Sequence, residues 1–343
     1  MPARNSLPPY PNGWFAVGFS DELPRGGLLA RPFMGQDVVV YRTQSGQACA
    51  VDAYCAHLGA HFGYGGSVEG EWLRCPFHGF CYDTHGNCVK TGYGTKPPPT
   101  AKLRVWHLRE TNGVLLLYHD CANAAPTWDI PALDLDGWTR AIYRKFTLLD
   151  HPQETTENSV DIGHFAFVHK YRNTRMLREA VTDGAYLSTA YAAQRAAPGL
   201  ARLFPNVWLD FQFETQIHGL GYSLVNVTVP GARVEARLWV LPTPIDDERI
   251  QLYLATRIKI AESSKIHPLL APLPKRALHA LINRVMLNSL ANDAQQDFVI
   301  WQNKKYVQPP ALAEGDGPIG KYRQWAKQFY GDVNPEVRSP AEG

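Results

Sequence analysis

The chain has 343 residues, of which 45% are hydrophobic and 19% charged, with a formal net charge of +2 at pH 7. That length suffices for two domains with cores of their own, and the composition is that of a globular protein. The near-neutral charge, with no Lys/Arg-rich run, excludes an electrostatic nucleic-acid footprint. The stretch Met1-Pro2-Ala3-Arg4 lacks a signal-peptide core and no apolar run reaches bilayer length, so no membrane span and a cytoplasmic location are expected.

In chain order, the first segments are short, β-branched and bounded by turn residues: 14–18, 37–42, 48–53, 72–75 and 114–118. Such runs predict an all-β N-terminal domain. Inside it lie Cys55-Ala56-His57 and, seventeen residues later, Cys75-Pro76-Phe77-His78. Two Cys and two His could close a zinc tetrahedron, but structural zinc sites usually pair like with like in each cluster. One Cys and one His in each cluster suit a Rieske-type [2Fe–2S] centre, with Cys55 and Cys75 on one iron and His57 and His78 on the other. Neutral imidazoles in place of two thiolates lower the cluster's negative charge and raise its potential. The motifs are expected on hairpin loops at the domain tip, where electrons can enter and leave. Of the six cysteines, Cys81 and Cys88 read as small buried fillers, and a reducing compartment argues for free thiols.

Pro97, Pro98 and Pro99 read as a stiff connection, and 124–131 breaks regular structure. The domain boundary is placed near residue 145, giving domains 1–145 and 146–343. Beyond it, Thr155 or Thr156 could cap a helix that carries Asn158, Asp161 and His164. Asp161 and His164 would share a face of that helix. His169 converges on His164 if the helix loosens or ends near Gly163. Two histidines with one carboxylate make a facial triad that leaves positions open on Fe(II).

From about 185 to 260 the chain alternates at period two, as in Val207, Leu209, Phe211 and Phe213, predicting an antiparallel sheet with one buried face. Most of its aromatics read as core, with a minority lining a pocket. Residues 274–306 follow with apolar positions at helical spacing, from Leu278 and Leu281 through Met286 to Ala294. Asp293 and Asp297 at the far end both qualify as the missing carboxylate ligand, and spacing does not choose between them. The fold class is therefore α+β: an N-terminal all-β Rieske domain and a C-terminal helix-grip domain, an antiparallel sheet with a long C-terminal helix.

With these motifs in hand, the chain resembles the terminal oxygenase components of Rieske non-heme iron oxygenases over nearly its whole length. The resemblance is carried by Cys55/His57/Cys75/His78 and by Asn158, Asp161, His164 and His169 at their spacing. It is closest to the branch of 3-ketosteroid 9α-hydroxylases and cholesterol 7-desaturases, through 12–23, 55–61, 296–301 and 315–330. The match of Gln296-Asp297-Phe298-Val299-Ile300-Trp301 selects Asp297 as the carboxylate ligand. Phe80 stands where that family often has Trp, which implies altered packing beside the cluster.

The resemblance implies a [2Fe–2S] cluster, a mononuclear Fe(II) held by His164, His169 and Asp297, and O2 as co-substrate. It also implies a homotrimer in which Asp161 bridges His164 of its own chain and His78 of a neighbour, with Asp161 and Asn158 as catalytic residues. No dinucleotide fingerprint follows a strand, so NAD(P)H must act through a separate ferredoxin or reductase. That partner could dock near Arg74, Lys90 or Lys96. The expected reaction is monohydroxylation of a bulky apolar, steroid-like or polycyclic molecule. Desaturation, oxidative cyclisation or dealkylation of a natural-product intermediate by the same iron chemistry is the alternative. The non-enzyme readings are an electron carrier and a lipid-binding module.

Overall fold

The computed structural model describes residues 6–196, 208–230, 234–260 and 274–331. Of the stretch expected to alternate, 197–207 (with Val207) and 231–233 lie outside the described residues.

The N-terminal half is built from short antiparallel strands. β1 (Gly13–Phe19), β9 (Leu108–Thr111) and β10 (Val114–His119) form one sheet in the order β1-β10-β9. β2 (Leu28–Phe33), β3 (Gln36–Arg42) and β4 (Ala48–Asp52) form a second. β5 (Ser67–Glu69), β6 (Trp72–Arg74), β7 (Cys81–Tyr82) and β8 (Cys88–Lys90) form a third. The apolar segments expected to be strands lie on β1, β3, β4, β6 and β10. Two apolar clusters hold the sheets together, one around Phe15, Phe33, Val40 and Trp106, the other around Tyr41, Phe62, Leu73 and Tyr82. The second lies directly beneath the Cys55 and Cys75 loops.

The C-terminal half is a seven-stranded antiparallel sheet of order β11-β17-β16-β15-β14-β13-β12. Its strands are β11 (Ile142–Leu149), β12 (Arg172–Asp183), β13 (Tyr186–Ala196), β14 (Trp208–His218), β15 (Tyr222–Val229), β16 (Val234–Pro244) and β17 (Arg249–Ile260). The helices are α1 (Pro152–Glu157), α2 (His164–Phe167), α3 (Lys275–Trp301) and α4 (Ile319–Ala326). α3 covers one face of the sheet, packing Met286, Ala291, Ala294 and Trp301 against residues that include Leu238, Ile258, Leu252 and Leu254.

Several expectations change at this level. The sheet was expected to bury one face, but its middle strands bury both. Tyr222, Leu224, Trp239, Leu241, Tyr253 and Ala255 share a cluster with Trp14, Phe19, Leu116 and Tyr118 of the N-terminal half. Consecutive residues 252–256 of β17 are accordingly all buried, because neighbours on opposite faces each meet a core. The boundary near residue 145 falls inside β11, whose eight residues all pair with β17, so the passage between sheets comes before Ile142. α3 ends at Trp301, five residues short of the expected limit, and Leu281 is exposed.

The first catalytic-half helix is not capped by Thr155 or Thr156, which lie within it. α1 begins at Pro152, whose fixed φ suits the first helical turn. Its N-cap is His151, whose Nδ1 accepts from the Gln153 backbone N–H at 3.1 Å. Asp161 lies in the link between α1 and α2 rather than on a helix face with His164.

Candidate metal centres and the active-site cavity

At the cluster end, two loops are folded by the same backbone device. The Gly59 N–H donates to the Cys55 carbonyl at 2.9 Å and the Gly79 N–H to the Cys75 carbonyl at 3.2 Å. Both glycines are left-handed, at φ +73° and +66°, which closes each turn under its Cys and His. The Cys55 N–H donates to the Ala60 carbonyl and the Cys75 N–H to the Phe80 carbonyl, locking the loops as a pair of like shape.

Cys55 and Cys75 are buried, and the His57 and His78 rings meet edge to face with centroids 4.8 Å apart. Each ring is half-buried, and Nδ1 of each is sealed from solvent with no hydrogen-bond partner. A buried polar atom left unpaired is costly. Two imidazole nitrogens orphaned beside two buried thiols therefore fit a metal group that takes their lone pairs. The Tyr82 hydroxyl lies 3.2 Å from Cys55 Sγ, placed to donate to the sulfur. Phe80 stacks on His57 with centroids 4.2 Å apart and planes 6° from parallel, so the ring found in place of Trp holds an imidazole by its face.

In the catalytic half, ligand atoms of His164, His169 and Asp297 all lie within 4.8 Å of one another. His169 Nε2 is 3.5 Å from Asp297 Oδ2. Two ligands about 2.1 Å from one ion and at right angles sit about 3 Å apart, so the spacing fits a shared cation. α2 and its C-terminal turn carry the two histidines; α3 carries the carboxylate from across the fold.

Each imidazole has its second nitrogen occupied. His164 Nδ1–H donates to the Asp161 backbone carbonyl at 2.5 Å, with the Asp161 carboxylate farther off at 3.7 Å. His169 Nδ1–H donates to Gln296 Oε1 at 3.3 Å. Both rings thereby carry their proton on Nδ1 and keep an unprotonated Nε2, the orienting role that outer groups play around a metal. Asn158 is fixed in turn: Trp301 Nε1–H donates to its Oδ1 at 3.3 Å, and its Nδ2 comes within 3.4 Å of His164 Nε2.

The electrostatics favour a cation. Burial pushes the Asp297 carboxyl up to about 7, and nearby Asp293 and Asp161 add to the effect. Burial lowers the pKa of His169, so its ring is neutral and ready to ligate. Burial also opposes ionisation of Asp161, but its contacts with His164 prevail and hold that carboxyl below its usual range. The fold separates the two candidate carboxylates of α3. Asp297 faces the histidines, while Asp293, one turn earlier, is taken up by Arg195 and Tyr171.

These residues open onto a cavity of about 160 Å³, walled by Phe165, Phe211, Phe213, Val225, Leu238 and Met286 among others. Phe211 and Phe213 thus belong to the minority of sheet aromatics that line a pocket. Gln296 and Trp301 gained no role from sequence spacing, although both stand in the stretch around Asp297. Arg195, on a strand, and Tyr171, just before one, carried no motif at all.

Comparison with known proteins now decides the family. Residues 13–104 match the Rieske [2Fe-2S] domain, and residues 117–330 match the 3-ketosteroid 9alpha-hydroxylase C-terminal domain. The chain is 32% identical over 345 residues to cholesterol 7-desaturase nvd of Bombyx mori, spanning 96% of this chain and 72% of the relative. The chain belongs to the Rieske non-heme iron oxygenases.

This oxygenase is also 26% identical over 335 residues to a probable 3-ketosteroid-9-alpha-monooxygenase, oxygenase component, of Rhodococcus rhodochrous, covering 94% of this chain and 81% of that one. Among solved structures it shares its fold with dicamba monooxygenase bound to dicamba, at TM-score 0.65, 18% identity and coverage of 93% and 96%. NdmA of Pseudomonas putida CBB5 with caffeine gives TM-score 0.68, 20% identity and coverage of 92% and 89%. The enzyme is thus an oxidoreductase of the [2Fe–2S] and non-heme iron class. Among the described residues no helix is long and apolar enough to cross a membrane.

Proposed function

We propose that this oxygenase oxidises an apolar, ring-containing molecule, steroid-like or otherwise polycyclic, with monohydroxylation as the reaction. The observation that carries this reading is the meeting of His164, His169 and Asp297 at an apolar cavity. In this reading Cys55, His57, Cys75 and His78 hold the cluster, and the three residues of the catalytic half hold the iron. When bound, the cluster supplies single electrons and the iron supplies activation of O2.

The chain's own groups then do the rest. The Asp161 carbonyl and Gln296 hold the imidazoles in one tautomer, and the Phe165, Phe211 and Phe213 rings exclude water from the reacting carbon. Asn158, oriented by Trp301, keeps its amide beside the open side of His164. An apolar cavity of about 150 Å³ is filled by a single benzene ring. The open cavity here, about 160 Å³, therefore admits one ring of the substrate, and the remainder of a polycyclic skeleton extends through the mouth.

Assembly as a ring of three copies is part of the proposal. What supports it is apolar surface at both centres. Leu58, Tyr64, Phe77 and Tyr93 stand exposed around the cluster, and Phe167 is 81% exposed on the helix that carries His164. A head-to-tail contact between these two surfaces closes into a ring by rotation. It would bring His78 of one copy toward Asp161 of the next.

The test is turnover of a steroid and polycyclic panel by the cluster- and iron-loaded enzyme with a surrogate ferredoxin and reductase, under 18O2. Hydroxylation consumes two electrons and two protons, placing one labelled oxygen in product and one in water. Desaturation, the second reading, is favoured by the 32% identity to a cholesterol 7-desaturase. With the same inputs it places both labelled oxygens in water and leaves a double bond. No product from any member of the panel would remove the proposed substrate class.

A further inference from the structure

Besides hydroxyl side chains such as Ser159, Thr215 and Ser289, the cavity has a charged wall that the iron chemistry does not use. Arg195 Nη1–H donates to Asp293 Oδ2 at 2.8 Å and to the Tyr171 hydroxyl at 2.7 Å, and its Nη2–H to Asp293 Oδ1 at 3.3 Å. The Tyr171 hydroxyl donates to Asp293 Oδ2 at 3.0 Å. All three side chains line the cavity, and the guanidinium lies over the faces of Tyr171 and Phe211, 4.9 and 5.8 Å from their centroids. Asp293 stands one turn before Asp297 on α3, about 6 Å along the axis. The Tyr171 ring is 5.7 Å from that of His169.

A charged pair in an apolar wall is costly to desolvate and is no efficient way to brace a strand against a helix; well-packed apolar residues do that as well or better. Its donors are also not all used. Guanidinium carries five N–H groups in a fixed fork. The Arg195 Nε–H and one Nη2–H have no acceptor among the described residues. The charge, by contrast, is already answered by Asp293. An anion entering the cavity would meet that carboxylate, whereas a neutral oxygen could accept the spare N–H without a charge penalty.

We infer that Arg195, positioned by Asp293 and Tyr171, is the specificity-determining anchor for a neutral oxygen on the substrate, a ketone or hydroxyl on the ring that enters the cavity. The site selects against a carboxylate in the same place and against the bare hydrocarbon. This deepens the proposed function and rests on its reading of the cavity as the substrate site.

The experiment is equilibrium dialysis of the full-length, cluster- and iron-loaded protein, kept anaerobic, against two matched trios. One is 5α-androstane, 5α-androstan-3-one and 5α-androstane-3-carboxylate; the other is tetralin, 2-tetralone and tetralin-2-carboxylate. The wild type is expected to bind a ketone roughly tenfold or more tighter than its hydrocarbon and its carboxylate, the worth of a hydrogen bond to a charged donor. Asp293→Asn leaves the guanidinium unbalanced and should turn the preference toward the carboxylate. The double variant Arg195→Met/Asp293→Leu, which strands no charge, should prefer the hydrocarbon. A pair that merely braces the fold would change none of these rankings.

Equal binding of all three members of a trio by wild type overturns the inference. So does a ketone preference that survives in the double variant, or failure of both ketones to bind. The pattern in the tetralin trio with no binding of the steroids sinks the steroid reading and leaves this one standing. Steroid binding with no preference among the three does the reverse.

Discussion

Changing Asp297 to Asn tests the proposed iron site through stability as well as metal content. In the metal-free protein burial raises this carboxyl from 3.8 to about 7. At 1.36 kcal/mol per unit, that shift of about three units penalises the ionised form by about 4 kcal/mol. The group binds its proton more tightly folded than unfolded. Its contribution to stability is therefore complete below about pH 4 and is lost as pH rises through about 7. Between pH 5 and 8.5 the metal-free wild type should lose about 3 kcal/mol from this group alone. Asp297→Asn, neutral and of the same shape, should lack that slope and be the more stable protein at pH 8.5. It should also fail to retain the mononuclear iron while the cluster's visible absorption persists. Iron loaded into the wild type should flatten the slope, because the cation holds the carboxylate ionised. The assay is urea unfolding of chelator-treated and iron-loaded protein at the two pH values, with iron counted per chain. An unchanged slope in Asp297→Asn, or full iron content, refutes the assignment.

Three further outcomes follow from other contacts. Asp161→Ala should keep both metals yet lose turnover roughly 10- to 100-fold or more, read from iron content and product formation; unchanged activity removes its bridging role. Tyr82→Phe deletes the hydroxyl beside Cys55 Sγ. At about 1 kcal/mol the cluster's reduction potential should fall by about 40 mV in a spectroelectrochemical titration, and an unmoved potential excludes the hydrogen bond. His151 is buried neutral with its pKa depressed to about 4, burial being the cause. Its stabilising contribution is present above about pH 6.5 and lost as pH falls through 4. The shift is worth about 3 kcal/mol, and protonating Nδ1 also breaks the cap on α1. His151→Asn, which caps without titrating, should show less acid destabilisation in unfolding curves at pH 4.5 and 7.

Much of this molecule is legible in one dimension because its chemistry is local. Cys55 with His57, and Cys75 with His78, are near neighbours in sequence, and the backbone turn that aims each pair is encoded by the glycine just beyond it. His164 and His169 are likewise close, and the strand pattern of β14–β17 shows in sequence where only one face is buried and side chains alternate. The edge strand β12 escapes such reading because almost all of its residues are exposed and charge-rich, so no apolar rhythm marks it.

Other features exist only once distant segments meet. The cap on α1 depends on an imidazole whose far nitrogen needs the Pro8 carbonyl, 143 positions away. Asp293 and Asp297 are equivalent by helical spacing. Family likeness picks the second, but what separates them physically is the packing of α3, which turns one toward the α2 histidines and the other toward Arg195 on β13. The same packing gives His169 its Gln296 acceptor and Asn158 its Trp301 donor. Residue types and local turns are properties of the chain itself. Which carboxylate meets the histidines, and which meets Arg195, are decided by the sheet and helix that bring residues about a hundred or more positions apart into contact.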